Sequence, residues 1–145
     1  MLLGALLIAG TALFAQDVPA SVKKSFQTKF PKAQEAEWSE GDGSFDVDFY
    51  EGSVGKIARF DEAGKWIETR TVVENTPPAI EKAVSTKHKG ASVDGVTLVE
   101  SSDGNSIYEV NASSESASYT ITADKTGKIL SSEESANESY DSDDE

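Results

Sequence analysis

Cysteine is absent from the 145 residues, and histidine occurs once. Without thiols the chain has no disulfide framework, no thiolate-metal centre and no cysteine nucleophile. A lone histidine, with no serine and acid spaced around it as a triad, argues against a hydrolase and leaves a zinc site short of ligands. Positive charge is scarce as well. The 13 Lys and Arg face 26 Asp and Glu, a formal charge of −13, which excludes a nucleic-acid binder working through an overall basic surface. No cofactor motif is present, and none of these counts suggests an enzyme.

Long apolar runs are nearly absent too. The one exception is MLLGALLIAGTALFA, Met1 to Ala15, followed at once by Gln16 and Asp17. As a helix it would rise about 22 Å, short of the roughly 30 Å hydrocarbon core. The expectation is therefore a secretory signal peptide over residues 1–15, a mature chain from Gln16 and no stable membrane insertion after cleavage. That reading places the protein in the periplasm or outside the cell. At the other end, Ser131 to Glu145 (SSEESANESYDSDDE) holds seven acidic residues and no basic one. With only Ala136 and Tyr140 to bury, it is expected to be a disordered acidic tail over 131–145, because ordering costs roughly 1–2 kcal/mol per residue. The domain between them is then 16–130.

Within that domain one unit is written twice. Asp17 to Ala33 carries Val22, Phe26 and Phe30 every four residues, with Pro19 at its start and Pro31 at its end, which predicts an amphipathic helix of about three turns. Thr76 to Ala91 carries Ile80, Val84 and His88 at the same spacing, with Thr76 as candidate N-cap and Gly90 as stop. The first two matched pairs, Val22 with Ile80 and Phe26 with Val84, lie 58 residues apart. Alternation in Phe45 to Phe49 matches that in Tyr108 to Ala112, now 63 apart, and Asp61-Glu-Ala-Gly-Lys-Trp66 matches Asp124-Lys-Thr-Gly-Lys-Ile129 at the same offset. Both six-residue stretches read as hairpins with glycine supplying the positive φ.

The prediction is an α+β fold: a tandem repeat of a helix and a four-stranded antiparallel meander, repeat one over about 17–74 and repeat two over about 76–130. Strands are expected near 35–40, 45–51, 54–61, 65–74, 94–102, 106–113, 117–124 and 128–134. Each helix should lie across one face of the sheet. Phe45, Val47, Phe49, Ala58 and Phe60, with Tyr108, Val110, Ala112, Ile121 and Ala123, should face the helices. Asp46, Asp48, Tyr50, Ile57 and Arg59, with Glu109, Asn111, Ser113, Thr120 and Thr122, should face away. A slip of one residue would exchange these sets.

Taken together, Val18-Pro-Ala-Ser-Val-Lys-Lys-Ser-Phe26, Phe30-Pro31, Trp38, Phe45 to Phe49 and Asp61 to Trp66 resemble the PepSY-like family, whose fold is related to the β-lactamase inhibitory protein. The resemblance implies a secreted or periplasmic protein without enzymatic activity, with helices on one side of a curved sheet and binding through the open face. The missing cysteines depart from the inhibitory relative, so inhibition of a β-lactamase is not carried over.

Trp38 and Trp66 are expected to pack on the helix side, since Ile129 stands where Trp66 does. The open face then supplies the candidate partner-binding residues: Asp46, Asp48, Tyr50, Arg59, Glu109 and Asn111. The expected partner is a protein, a peptidase or other periplasmic enzyme. The competing reading is calcium or magnesium held by the paired carboxylates or the acidic tail, although the tail lacks the glycine and ligand spacing of a calcium loop.

Overall fold

The computed structural model describes residues 17–137. The signal peptide expected over 1–15 and the tail residues 138–145 lie outside the described residues. In chain order the elements are α1 (Ala20–Lys29), β1 (Gln34–Gly41), β2 (Ser44–Glu51), β3 (Val54–Asp61), β4 (Trp66–Val73), α2 (Pro78–Lys87), β5 (Ser92–Ser101), β6 (Ser106–Ser113), β7 (Ala117–Asp124) and β8 (Ile129–Ala136). The strands form one sheet in sequence order, antiparallel throughout. β4 and β5 pair over Glu68 to Val73, joining the two helix-plus-meander stretches into a continuous sheet.

Register decides which side chains are buried. Phe45 pairs with Phe60, Val47 with Ala58, and Val110 with Ile121; all six are buried. The alternation read from the sequence therefore holds, with Tyr108 half-buried beside its fully buried companions. Following the pairs across β4 and β5 (Ala58 to Thr69, Val73 to Val96, Val96 to Val110) keeps the same side throughout. Both helices thus cover one face of the sheet and leave the other open. Val22 and Phe26 enter the first core; Ile80 and Val84 enter the second.

Two expectations need correction. α2 begins at Pro78, not beneath a Thr76 cap. Pro77 occupies the N-cap position and no side chain caps it, because proline at N1 has no N–H to satisfy and its fixed φ already suits the helix. Likewise α1 starts at Ala20 behind Pro19, without a side-chain cap. The second concerns the acidic tail: its first six residues, Ser131 to Ala136, belong to β8, which pairs with β7 as far as Ala117. Backbone hydrogen bonds to β7 offset the ordering cost that the side chains alone cannot. Asn137 extends the anchorage, with its N–H donating to the Ser116 carbonyl.

The matched hairpins explain their motif. Asp61 accepts the backbone N–H groups of Ala63 and Lys65, and Asp124 those of Thr126 and Lys128. Gly64 and Gly127 both sit at φ +89, and a Cβ there would lie 2.9 Å from the Ser21 carbonyl oxygen or 2.8 Å from that of Ala79. Glycine is required twice over, for its positive φ and because each hairpin presses against the first turn of its helix.

Candidate functional site

The open face carries a ladder of charge across the sheet. Arg59 on β3 grips Asp46 on β2 through two bonds, Nε to Oδ1 at 2.7 Å and Nη2 to Oδ2 at 2.9 Å. These two residues are cross-strand partners, so register alone brings them together. Glu68 on β4 lies between two guanidinium groups, 3.8 Å from Arg59 and 3.8 Å from Arg70. Arg70 reaches over β5 to Glu109 on β6, a bidentate pair. The hydrogen bond that Arg59 donates to Asp46 is the main reason its guanidinium holds its proton more firmly than a free one, with burial opposing. All the partners are half-exposed, so each pair is worth only about 0.2–1 kcal/mol. What the ladder supplies is fixed side-chain geometry.

Beside the ladder lies a concavity of about 510 Å³ over β1 to β5, lined among others by Glu37, Asp48, Tyr50, Gly55, Ile57, Arg70, Val72 and Thr97. Its floor is at Gly55. Tyr50 and Val72 stand on either side, and a Cβ added at Gly55 would meet Tyr50 at 3.6 Å and Val72 at 4.0 Å. Both flanking side chains are large and exposed, Tyr50 at 47% and Val72 at 57%. The rim is acidic: Glu37 pairs with Asp48 across β1 and β2, and an irregularity in β1, with Glu35 at φ 55, brings a third carboxylate to the rim. Among the described residues Asp48 takes part in no ion pair.

Of the six residues expected to bind a partner, Asp48 and Tyr50 line the trough. Asp46, Arg59 and Glu109 stand in the charge ladder alongside. Asn111 is exposed one alternation further along β6, away from both. The sequence reading missed Gly55, Arg70, Val72 and Glu37. The first three were open to discovery, because the alternation Glu68, Arg70, Val72 places β4 on the same face as Ile57 and Arg59. The paired-carboxylate form of the cation reading finds Asp46 and Glu109 each engaged by an arginine, and no group of three or more metal-ligating side chains comes together among the described residues; tail residues 138–145 lie outside them.

His88 lies at the end of α2, where it stacks on Tyr119 at 4.0 Å between ring centroids and shares a 2.8 Å hydrogen bond with Ser132. Trp38 and Trp66 are half-buried against the first core, as expected. The Trp66 indole N–H donates to the Thr69 hydroxyl at 2.9 Å, which gives the buried Thr69 its partner.

An eight-stranded antiparallel sheet that is not closed, with two helices on one side and a charge-ordered face on the other, defines an α+β protein of BLIP-like fold. The chain belongs to the PepSY-like family, described as "Putative beta-lactamase-inhibitor-like, PepSY-like", which matches residues 43–131. No curated protein matches it. Among solved structures it is similar to a DUF2874 family protein from Bacteroides uniformis, at 25% identity and a TM-score of 0.73, covering 80% of this chain and 88% of that one. A structure from Bacteroides eggerthii titled "putative periplasmic proteins" is 20% identical with a TM-score of 0.74, over 82% of this chain and 90% of the other. A BLIP-like protein from Bacteroides fragilis is 18% identical with a TM-score of 0.73, over 86% and 92%. No helix among the described residues is long and apolar enough to cross a membrane.

Proposed function

We propose that this chain is an exported, non-catalytic binding module, periplasmic or secreted, that regulates or inhibits an enzyme through the open face of its sheet. In this reading residues 1–15 are the leader and the folded domain is two copies of one helix-plus-four-strand unit. The observation that carries the proposal is the trough at Gly55, where Tyr50 and Val72 stay exposed on a face otherwise ordered by ion pairs. An exposed tyrosine beside a concave apolar floor is the composition of an interface anchor. The relative titled BLIP-like and the one titled periplasmic support the same direction.

The test starts from the chain beginning at Gln16, used to capture a partner from native periplasm or culture supernatant, whose affinity is then measured against variants. Gly55→Val fills the trough from its floor without calling for an unusual backbone angle. Tyr50→Ala removes the anchor, and Asp48→Lys reverses an unpaired charge. Each should weaken binding about tenfold or more with little change in melting temperature, as for surface substitutions generally. Equal affinity for all three would reject the open face as the binding surface.

A further inference from the structure

Gly55 has no conformational reason to be glycine. Its φ lies outside the left-handed region that Gly52 and Gly64 occupy, and glycine within a strand forgoes packing and often marks close approach by a ligand or another backbone. What the missing side chain leaves is a slot. A Cβ at Gly55 would touch Tyr50 at 3.6 Å and Val72 at 4.0 Å, so the floor is about one methylene wide. Tyr50 pairs with Gly55, and in the next row Glu37 pairs with Asp48, Asp48 with Ile57, and Ile57 with Arg70. The slot is therefore apolar along its floor and acidic along its β1–β2 flank. Glu35, Glu37 and Asp48 line that flank, all exposed, and none takes part in an ion pair among the described residues. The two cations that also line the trough are already engaged, Lys56 by Glu51 at 3.1 Å and Arg70 by Glu109. The sheet does not need this arrangement to form. At the 63-residue offset of the matched hairpins the row Tyr50, Gly55, Val72 becomes Ser113, Ser118, Ser135, still paired in register. Likewise Gly95 faces Asn111 where Glu37 faces Asp48.

Resting on the open-face reading above, we infer that the trough receives one cationic side chain, a lysine or arginine, from a loop of the protein partner. Its unbranched stem lies over Gly55 between Tyr50 and Val72, and its charged head meets the flank of Glu35, Glu37 and Asp48. Long basic side chains bury their stems on apolar surface while the head stays among polar groups, and the exposed Tyr50 ring offers a cation a further attractive face. Other occupants fit less well. A branched aliphatic side chain is too broad for a gap that one methylene fills. A neutral stem covers the flanking carboxylates without compensating their lost hydration, and an acidic one is repelled by them. The rest of this chain does not supply the cation, since residues 1–16 and 138–145 contain no lysine or arginine.

The chain from Gln16, which contains both cores entire, is isotope-labelled and titrated with the N-acetyl methylamides of arginine, lysine, citrulline, norleucine and phenylalanine, and the amide shifts of Tyr50, Gly55 and Val72 are followed by NMR. Arginine or lysine should give saturable shifts with a Kd of about 1–10 mM. Citrulline, the neutral counterpart of arginine, and norleucine should bind about tenfold more weakly. Raising the salt from about 50 to 300 mM should weaken the cationic probes alone. In the double variant Glu37→Gln, Asp48→Asn the cationic probes should lose about tenfold and norleucine nothing, while Gly55→Val should abolish all binding. The probe series needs no variant and decides the matter even if a substitution disturbs folding. Citrulline or norleucine binding as well as arginine, or phenylalanine binding better, overturns the cation and leaves an apolar site. No saturable shift with any probe also overturns the inference. So do shifts of the same amides on diluting the free protein, if its mass by sedimentation falls with them, in favour of a second copy as occupant. The open-face reading fails separately, by equal affinity of a captured partner for Gly55→Val, Tyr50→Ala and Asp48→Lys.

Discussion

The two halves of the molecule share a frame and differ in what fills it. In the first, Phe26 of α1 and Phe30 at its end pack with Phe45, Phe49, Phe60, Trp38 and Trp66, with edge-on ring contacts such as Phe26 to Phe49 at 5.1 Å and Phe26 to Trp38 at 5.3 Å. In the second, the corresponding space is held by Ile80, Val84, Val96, Val110, Ala112, Ile121 and Ala123. The trade is not residue for residue. Ala58 and Phe60 on β3 become Ile121 and Ala123 on β7, so the bulkier side chain moves two positions along the strand and stays on the buried face. The same strand order therefore accommodates a different packing solution while alternation is kept. The open faces differ in parallel. The trough and most of the ion ladder belong to β1 to β5, whereas β6 and β7 offer Asn111, Thr120 and Thr122.

The sharpest way to break this comparison is to empty each core in turn. Phe60→Ala removes a fully buried ring that meets Phe26 and Trp38, and should cost about 3–5 kcal/mol in urea unfolding. Ile121→Val, at an equally buried position, should cost about 0.5–1.5 kcal/mol. Both tryptophans lie in the first half, so indole fluorescence reports that half alone. Because β4 and β5 are hydrogen-bonded partners over six residues, fluorescence and far-ultraviolet circular dichroism should give coincident transitions for both variants. Separate transitions would show two independently unfolding units.

A smaller effect should be the same on both sides. Gly64→Ala and Gly127→Ala each force an L side chain into φ +89 against a helix carbonyl. About 1–2 kcal/mol is expected from the backbone angle, with a further cost from the collision, and the two melting temperatures should fall by similar amounts. A large difference would mean that the halves differ in how their helices are clamped, not only in their cores.

Much of this was legible in the sequence because it depends on period and parity. Val22 and Phe26, or Ile80 and Val84, state which face of each helix is buried, and Phe45, Val47, Phe49 state which face of β2. Matched hairpins made the strand count secure. The trough was less legible because its floor is an absence of side chain at Gly55, meaningful only once β2, β3 and β4 place Tyr50, Gly55 and Val72 in one row. Alternation alone places Arg70 on the open face, but its pairing with Glu109, two strands and 39 residues away, is beyond what local alternation reveals. At Ser131 to Ala136 two readings overlapped, a strand expected near 128–134 and an acidic tail expected from 131 by composition, and pairing with β7 decides for strand.

The finest contrast between the halves lies in the hairpin carboxylates. Asp124 accepts the Thr126 hydroxyl at 2.6 Å in addition to two backbone N–H groups, whereas at Asp61 the corresponding residue is Ala63 and only the backbone bonds remain. The hydroxyl bond is the leading reason that Asp124 titrates below its ordinary 3.8, followed by the Lys128 and Thr126 N–H groups, with desolvation opposing. A carboxyl whose folded pKa is depressed favours folding in its ionised form. Its contribution is complete above the unfolded value near 4 and is lost as the pH falls through the lower folded value. Carboxyl-detected NMR should therefore place the Asp124 midpoint below 3.8, and Thr126→Ala should move it upward. In thermal melts the variant should lie slightly below the unaltered protein at pH 5, and the part of that gap due to the ionised carboxylate should close as the pH is lowered toward about 2. A midpoint unmoved by Thr126→Ala would assign the shift to the two backbone N–H groups, and with it erase the chemical distinction between the two hairpins.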